Sequence, residues 1–266
     1  MARAIHKLGG EVAAIYPSGG YSGKFLNILI EKEGVYSKVI ETREHTRENL
    51  IVLDKASNLQ YRFGMPGQEL QEDEWISCME MVRSAAATYV VASGSLPPGV
   101  PDDILAQIAG ISREVGSRFV VDSSGIALKL ALEKGAYLMK PNINELTFLA
   151  GKEELGEKEV VQVARDLVKK YSCEIMVVSL GALGAILVTR NEVYKVASPR
   201  VEIKSTVGAG DSMVAGLVLS LARGNDLLST LQFGVACGTA ATMSPGTQLC
   251  NKQDAEKIME LIKSDS

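Results

Sequence analysis

Between residues 89 and 196 the sequence changes its hydrophobic period every few residues, and this alternation limits the fold more than any other feature. Tyr89-Val90-Val91-Ala92, Phe119-Val120-Val121-Asp122, Tyr137-Leu138-Met139 and Ile175-Met176-Val177-Val178 are short, nearly continuous apolar runs. Helix-length segments over 101–115, 126–134, 144–150 and 159–171 separate them. A strand that is apolar along its length needs cover on both faces, and strands joined through helices run parallel. The pattern therefore predicts a mostly parallel α/β sheet. Residues 185–188 and 193–196 read as an antiparallel addition to it. Upstream, a helix opens the chain and closes at Gly9-Gly10, followed by a strand over 12–16 and a helix ending near Glu33. Strands follow over 35–40, 49–54 and 59–63, the last two joined as a hairpin by Lys55-Ala56-Ser57-Asn58, and then a helix over 71–86. Helices over 211–223, 227–243 and 253–263 complete the chain. No repeat, low-complexity tract or linker interrupts it, so the expectation is one α/β domain spanning residues 1–266.

Composition removes several classes of function. A net charge of −4 argues against a nucleic-acid or anionic-membrane surface, so an anionic substrate needs a local basic site. Cys78, Cys173, Cys237 and Cys250 show no Cys-x-x-Cys spacing and sit in or near apolar stretches; they read as reduced, mostly buried thiols of a cytoplasmic protein. His6 and His45 are too few and too isolated for a zinc site.

In open parallel sheets, ligands bind beyond the carboxyl ends of the strands. The polar or glycine-rich strings fall at those ends: Ser93-Gly94-Ser95-Leu96-Pro97-Pro98-Gly99, Asp122-Ser123-Ser124-Gly125, Lys140-Pro141-Asn142-Ile143-Asn144-Glu145, Ser179-Leu180-Gly181, and the stretch from Ser205 to Gly216. In that last stretch Gly208-Ala209-Gly210-Asp211 leads into Val214, Leu217, Val218 and Leu221, the spacing of a helix with one buried face. The first N–H groups of a helix lack carbonyl partners and favour an anion, usually phosphate. Asp211 stands in the same place, and a carboxylate there suits a base acting on an attacking hydroxyl, which is a kinase arrangement. The plain alternative is an ordinary helix start. Asn142 and Glu145 lie three apart and share a helical face, suited either to a hydrated magnesium ion or to a capping box. Arg47 reads as a solvated charge or as the clamp for a sugar phosphate, with Arg62 as second choice. Gly94 and Ser95 offer a backbone N–H and a hydroxyl to a sugar, or form a plain turn. The loop Ser18-Gly19-Gly20-Tyr21-Ser22-Gly23-Lys24 is not a Walker A motif: Ser18 stands where its first glycine is needed, and Phe25 where Ser or Thr is needed.

These strings resemble, in order and from Ala2 to the C-terminus, those of the ribokinase-like PfkB family of sugar kinases. Thr46-Arg47-x-Asn49, Tyr61-Arg62-Phe63-x-Met65-Pro66-Gly67 and Gly246-Thr247-x-Leu249-Cys250 resemble its phosphofructokinase branch. The resemblance implies a three-layer αβα sandwich and ATP-dependent phosphorylation of fructose 6-phosphate with magnesium. Tagatose 6-phosphate or fructose 1-phosphate kinase is the runner-up, and a catalytically silent nucleotide-binding remnant the alternative from another class. It further implies Asp211 as base, the amides of Gly208, Ala209, Gly210 and Asp211 as anion hole, and Arg47, Gly94 and Ser95 on the sugar phosphate. Lys140, Asn142, Ser179, Gly181, Ser205, Val207, Gly208 and Gly210 would face the nucleotide, with Asn142 and Glu145 serving magnesium through water. Backbone oxygens near Ser205, Val207, Ala241, Ser244 and Gly246 would hold potassium. Members of the family carry a first strand with a sugar-binding Asp, clasp strands of the lid and dimer surface, and a Gly-Gly-x-x-Asn string ahead of the helix that resembles Ala2-Arg3-Ala4-Ile5. The expectation for these residues is therefore a sheet with an open edge and a largely missing lid.

Overall fold

A computed structural model describes the chain apart from Lys55, Ala56, Asn58, Glu157, Asp265 and Ser266, and the side chains of Leu53, Gln60 and Arg62 are also outside the described part. Three residues of the expected hairpin turn, Lys55, Ala56 and Asn58, thus lie outside the described residues. The chain forms two compact units, one of residues 1–11, 82–95 and 102–266, the other of residues 12–81 and 96–101.

The larger unit is built on six strands: β5 (Tyr89–Ser93), β6 (Arg118–Asp122), β7 (Ala136–Met139), β8 (Cys173–Ser179), β9 (Ala185–Val188) and β10 (Val193–Val196), in the order β10-β9-β8-β7-β6-β5. β5 to β8 are parallel, and β9 and β10 are antiparallel additions, as the sequence pattern requires. Successive residues of a strand point to opposite faces. Phe119, Val120 and Val121 in β6, Ile175 to Val178 in β8 and all of β9 are buried, so both faces are covered. The cover comes from α4 (Ile104–Glu114), α5 (Gly125–Lys134), α6 (Ile143–Leu149), α7 (Val160–Lys170), α8 (Ala209–Ala222) and α9 (Leu227–Thr242). This is a three-layer αβα arrangement. α1 (Ala2–Lys7) packs on α8, and α10 (Lys252–Ser264) on α9. β5 ends the sheet, and its Val90, Val91 and Ala92 are only half-buried.

α8 departs from its sequence pattern. The spacing of Val214, Leu217, Val218 and Leu221 predicts one buried face, yet every residue from Ser212 to Ser220 is buried. The apparently neutral positions are contact points. Ser212 Oγ accepts from Cys250 N–H at 3.3 Å, and Thr230 Oγ1 lies 3.1 Å from Ser220 Oγ. Gly216 leaves room for Cys237, whose Sγ would stand 2.8 Å from a Cβ there. On α9, Gly234 and Gly238 likewise admit Leu217 and Met213, so its small residues serve close helix packing.

The smaller unit contains β1 (Ala13–Ser18), α2 (Gly20–Lys32), β2 (Tyr36–Glu41), the antiparallel pair β3 (Leu50–Asp54) and β4 (Leu59–Phe63), and most of α3 (Glu72–Arg83). β1 and β2 form a parallel pair through α2. The glycine-rich loop receives the segment after β2: Gly19 N–H donates to Thr46 Oγ1 at 3.0 Å, and Thr46 N–H donates back to Gly19 C=O at 3.0 Å. A Cβ on Gly19 would stand 2.1 Å from Glu44 O and 2.4 Å from Thr42 Oγ1. Both atoms belong to tied-down chain, so backbone must move. Gly19→Ala is expected to destabilise this unit by about 2–3 kcal/mol, the range of overpacking. Thermal unfolding of the variant beside Gly64→Ala, where a Cβ meets nothing within 4 Å and φ is not positive, checks this; equal melting curves would refute it.

Candidate active site

The register of the parallel strands lines up the polar strings. Ser93 pairs with Asp122, Val121 with Met139, and Met139 with Met176, so the strings after β5, β6, β7 and β8 emerge at one edge of the sheet. They are also tied to one another. Gly94 N–H donates to Asp122 C=O at 3.0 Å and Ser123 Oγ donates to Gly94 C=O at 2.8 Å; Gly94 itself has φ +104°, which only glycine adopts freely. Ser179 N–H donates to Pro141 C=O at 2.9 Å, and Asn142 and Ser179 form a parallel bridge. Gly181 opens a single 3₁₀ turn, Gly181–Leu183, that closes this end of β8.

The fifth string joins at the same edge. Gly208, with φ +78°, caps α8, and the helix begins at Ala209, two residues ahead of its expected start. The first loop-to-helix bond is Ser212 N–H to Gly208 C=O at 2.9 Å. The N–H groups of Ala209, Gly210 and Asp211 precede that bond and have no partner within the helix. They stand at the positive end of a fourteen-residue helix. Asp211 lies in this first turn with its side chain 42% exposed, and accepts from Ser93 Oγ at 3.3 Å. The α-ammonium of Met1 is 3.7 Å from the same oxygen. Beside it lies a buried ion pair, Lys140 Nζ to Asp122 Oδ1 at 3.1 Å, with side chains 7% and 17% exposed. Lys140 Nζ would stand 3.7 Å from a Cβ on Gly210, so the ammonium borders the start of α8. Burial pushes the Asp122 carboxyl up, with Lys140 pulling against it and the charge of Asp211 adding to the rise.

The two sequence-level readings of Asn142 and Glu145 resolve into one geometry. Asn142 Oδ1 accepts from Glu145 N–H at 2.9 Å, and Glu145 Oε2 accepts from Asn142 N–H at 2.8 Å, a complete capping box at the start of α6. One carboxylate oxygen of Glu145 is engaged there. Burial raises the Glu145 carboxyl above its ordinary value, while Asn142 and Lys140 oppose the rise. Ser205 is buried, donates from Oγ to Gly246 C=O at 2.7 Å and accepts from Val207 N–H at 3.2 Å. Ser205 N–H donates to Thr242 C=O at 3.2 Å and Ser244 N–H to Ala241 C=O at 3.2 Å, which gathers Ser205, Val207, Ala241, Ser244 and Gly246. Among the described residues no three His, Cys, Asp or Glu side chains converge on a point.

Asp122 and Ser93 take part in this cluster, although sequence reasoning did not single them out. Asp122 had a signal in its place as the charged residue that ends the apolar run 119–121; Ser93 had none beyond its string. Arg47 belongs to the smaller unit and is exposed. There the two phosphofructokinase-type strings meet: Met65 N–H donates to Asn49 Oδ1 at 3.1 Å, and Arg47 Nη1 would stand 3.8 Å from a Cβ on Gly67. Arg62 lies in β4 and its side chain is outside the described part.

A carboxylate in the first turn of a helix, with a buried lysine at the carboxyl edge of a mostly parallel sheet, is the arrangement of an α/β enzyme of phosphoryl transfer. The chain belongs to the pfkB family of carbohydrate kinases, whose family model matches residues 1–254. It is 43% identical over 260 residues to the ATP-dependent 6-phosphofructokinase isozyme 2 of Escherichia coli, an alignment covering 97% of this chain and 84% of that protein. The crystal structure of phosphofructokinase-2 from Escherichia coli in complex with potassium superposes with a TM-score of 0.95 at 42% identity, covering 98% of this chain and 85% of the other. A ribokinase from Arabidopsis thaliana superposes with a TM-score of 0.77 at 19% identity over 97% of this chain and 85% of its own, a likeness of fold alone. The expected ribokinase-like αβα fold is thus the fold of this chain. Family membership makes it an ATP-dependent sugar kinase, which requires magnesium with its nucleotide. No helix is long and apolar enough to cross a membrane among the described residues.

Proposed function

We propose that the chain phosphorylates fructose 6-phosphate with ATP to give fructose 1,6-bisphosphate, in the cytoplasm, with its two compact units serving as one kinase domain over residues 1–266. The observation that carries the reading is Asp211 in the first turn of α8, beside the N–H groups at the positive end of that helix. In this reading its carboxylate takes the proton of the attacking sugar hydroxyl. The N–H groups of Gly208, Ala209, Gly210 and Asp211 hold the transferring phosphoryl oxygens, where developing negative charge is best stabilised. Ser93 orients the base through its hydrogen bond. Lys140, held by Asp122, places a fixed positive charge next to those donors. Ser179, Gly181, Ser205 and Val207 border the nucleotide.

The donor set fits magnesium, which takes one or two carboxylate oxygens and keeps its waters. Glu145 offers the oxygen left over from the capping box, and Asn142 shares its face; when bound, the ion neutralises charge on the phosphates. The gathered backbone around Ser205, Val207, Ala241, Ser244 and Gly246 suits potassium, the ion bound in the Escherichia coli structure. Arg47, Gly94 and Ser95 take the sugar phosphate.

The test is turnover of fructose 6-phosphate by the full chain with MgATP, next to fructose 1-phosphate and tagatose 6-phosphate. Arg47→Ala is expected to raise KM for fructose 6-phosphate roughly 10- to 100-fold, the worth of one charged hydrogen bond, and to leave KM for ATP within about twofold. Faster turnover of either competing sugar phosphate would reassign the substrate. No turnover of any of them by folded, MgATP-binding protein would favour a silent nucleotide-binding protein.

A further inference from the structure

Cys237 and Cys250 are fully buried, carry free thiols, and take no part in the proposed reaction. They come from different elements, Cys237 from α9 and Cys250 from the loop that precedes α10, and both lie against one strip of α8. Cys237 Sγ would stand 2.8 Å from a Cβ on Gly216, and Cys250 N–H donates to Ser212 Oγ at 3.3 Å, one helical turn earlier. The strongest influence on each thiol is the other. The Cys237 thiol pulls Cys250 down to about 7, with Ser212 and the Lys7 ammonium adding and burial opposing. The same pairing, together with burial, pushes Cys237 up. A sulfur held close to its thiolate form, with a protonated thiol beside it, is the arrangement of an attacking and a resolving cysteine. The strip also backs the proposed catalytic turn: Ser212 follows Asp211, and Leu249 Cδ2 would stand 2.5 Å from a Cβ on Gly208. Cys250 ends a loop whose residues 245–248 are exposed, so a small oxidant reaches it by local displacement of that loop while α8 stays closed.

We propose that Cys237 and Cys250 are a modification site, joined by hydrogen peroxide into a reversible disulfide that turns the enzyme off; the loss of activity, though not the disulfide, rests on the kinase reading above. The Cys250 thiolate attacks one peroxide oxygen, the O–O bond breaks, and the sulfur becomes a sulfenic acid as the other oxygen leaves as hydroxide. The Cys237 sulfur then attacks the oxidised one. An S–S bond forms, the S–O bond breaks, and the departing hydroxide takes the Cys237 proton to leave as water. In sum the two thiols give up two electrons and two protons, and the peroxide becomes two waters. A disulfide holds its sulfurs about 2.0 Å apart, closer than two separate thiols approach. Closing that gap draws Cys250 toward α9 and away from Ser212, and carries Leu249 off Gly208. The N–H groups and carboxylate at the start of α8 then lose the support that places them.

Treatment of the full chain with hydrogen peroxide, followed by peptide mapping and by assay of fructose 6-phosphate phosphorylation, tests this. A peptide pair linked through Cys237 and Cys250 is expected. Turnover should fall roughly a hundredfold, the effect of misplacing a reacting group by about an ångström, and return with dithiothreitol. Cys173, whose thiol burial pushes up to about 12, should stay reduced. Before oxidation Cys237→Ala should phosphorylate as the parent does. After it, the variant should form no linked peptide and hold Cys250 as a sulfenic acid that dimedone captures. A map without the linked peptide, or a linked chain that turns over as fast as the reduced one, would overturn the proposal. If the reduced chain phosphorylates no sugar, the kinase reading fails by itself, and the linked peptide with its reversal by dithiothreitol still decides the disulfide.

Discussion

Asp211→Asn is expected to lower kcat for sugar phosphorylation roughly a hundredfold to ten-thousandfold, the range contributed by a positioned base, while MgATP still binds. The substitution keeps the shape of the side chain and an oxygen able to accept from Ser93 Oγ, but removes the proton acceptor. The neighbouring N–H groups are backbone and are left intact, so the proposed anion hole survives. Nucleotide affinity by calorimetry and steady-state kinetics on the same preparation separate the two effects. A variant that retained a tenth of parental kcat would remove Asp211 from the role of base.

Lys140→Met is expected to be the most destabilising change to the site. It leaves Asp122 buried without its partner, which costs about 3–5 kcal/mol, or a fall of roughly 6–15 °C in melting temperature for a chain of this size. The loss should depend on pH. The Asp122 carboxyl already titrates above its ordinary 3.8 in the folded protein, because burial disfavours its charge. Between those two values the folded state binds more protons than the unfolded one, so this group's contribution to stability falls as pH rises through that window. Removing Lys140 moves the upper end of the window higher. Calorimetry should therefore show a smaller deficit in mildly acidic buffer than at pH 8. Lys140→Met with Asp122→Leu should recover most of the loss, since neither charge is then buried. A single variant that melts within a degree or two of the parent would sink the argument.

Much of the fold was legible because short apolar strands and amphipathic helices have different periods. β9 and β10 fall on the expected residues, and the other elements within two or three positions. α8 shows where that reading stops. Its helix was visible, but not its burial on all sides, because Ser212, Gly216 and Ser220 look like an outward face until Cys250, Cys237 and Thr230 are brought against them. Those partners come from far along the chain, and periodicity carries no information about them. The site was legible as a set of strings at strand ends, since strand direction alone places them on one edge. The pairing of Lys140 with Asp122 was not, because it depends on side chains from different strands meeting at 3.1 Å under cover. The meeting of the glycine-rich loop with Thr46 was hidden for the same reason: a steric need for glycine leaves no trace of what stands opposite.

The burial of α8 also bears on when each part of the molecule opens. Amides deep in a helix that is enclosed on every side exchange with solvent only through large-scale unfolding, whereas exposed hairpins and chain ends exchange through local fluctuation. From Ser212 to Ser220, α8 offers no face from which it can fray. Asp211 thus precedes, by a single residue, the segment that should be among the last to take up deuterium. The carboxylate proposed as base is thereby anchored beside the segment that opens last, so its place is expected to be fixed while less deeply buried parts of the chain fluctuate.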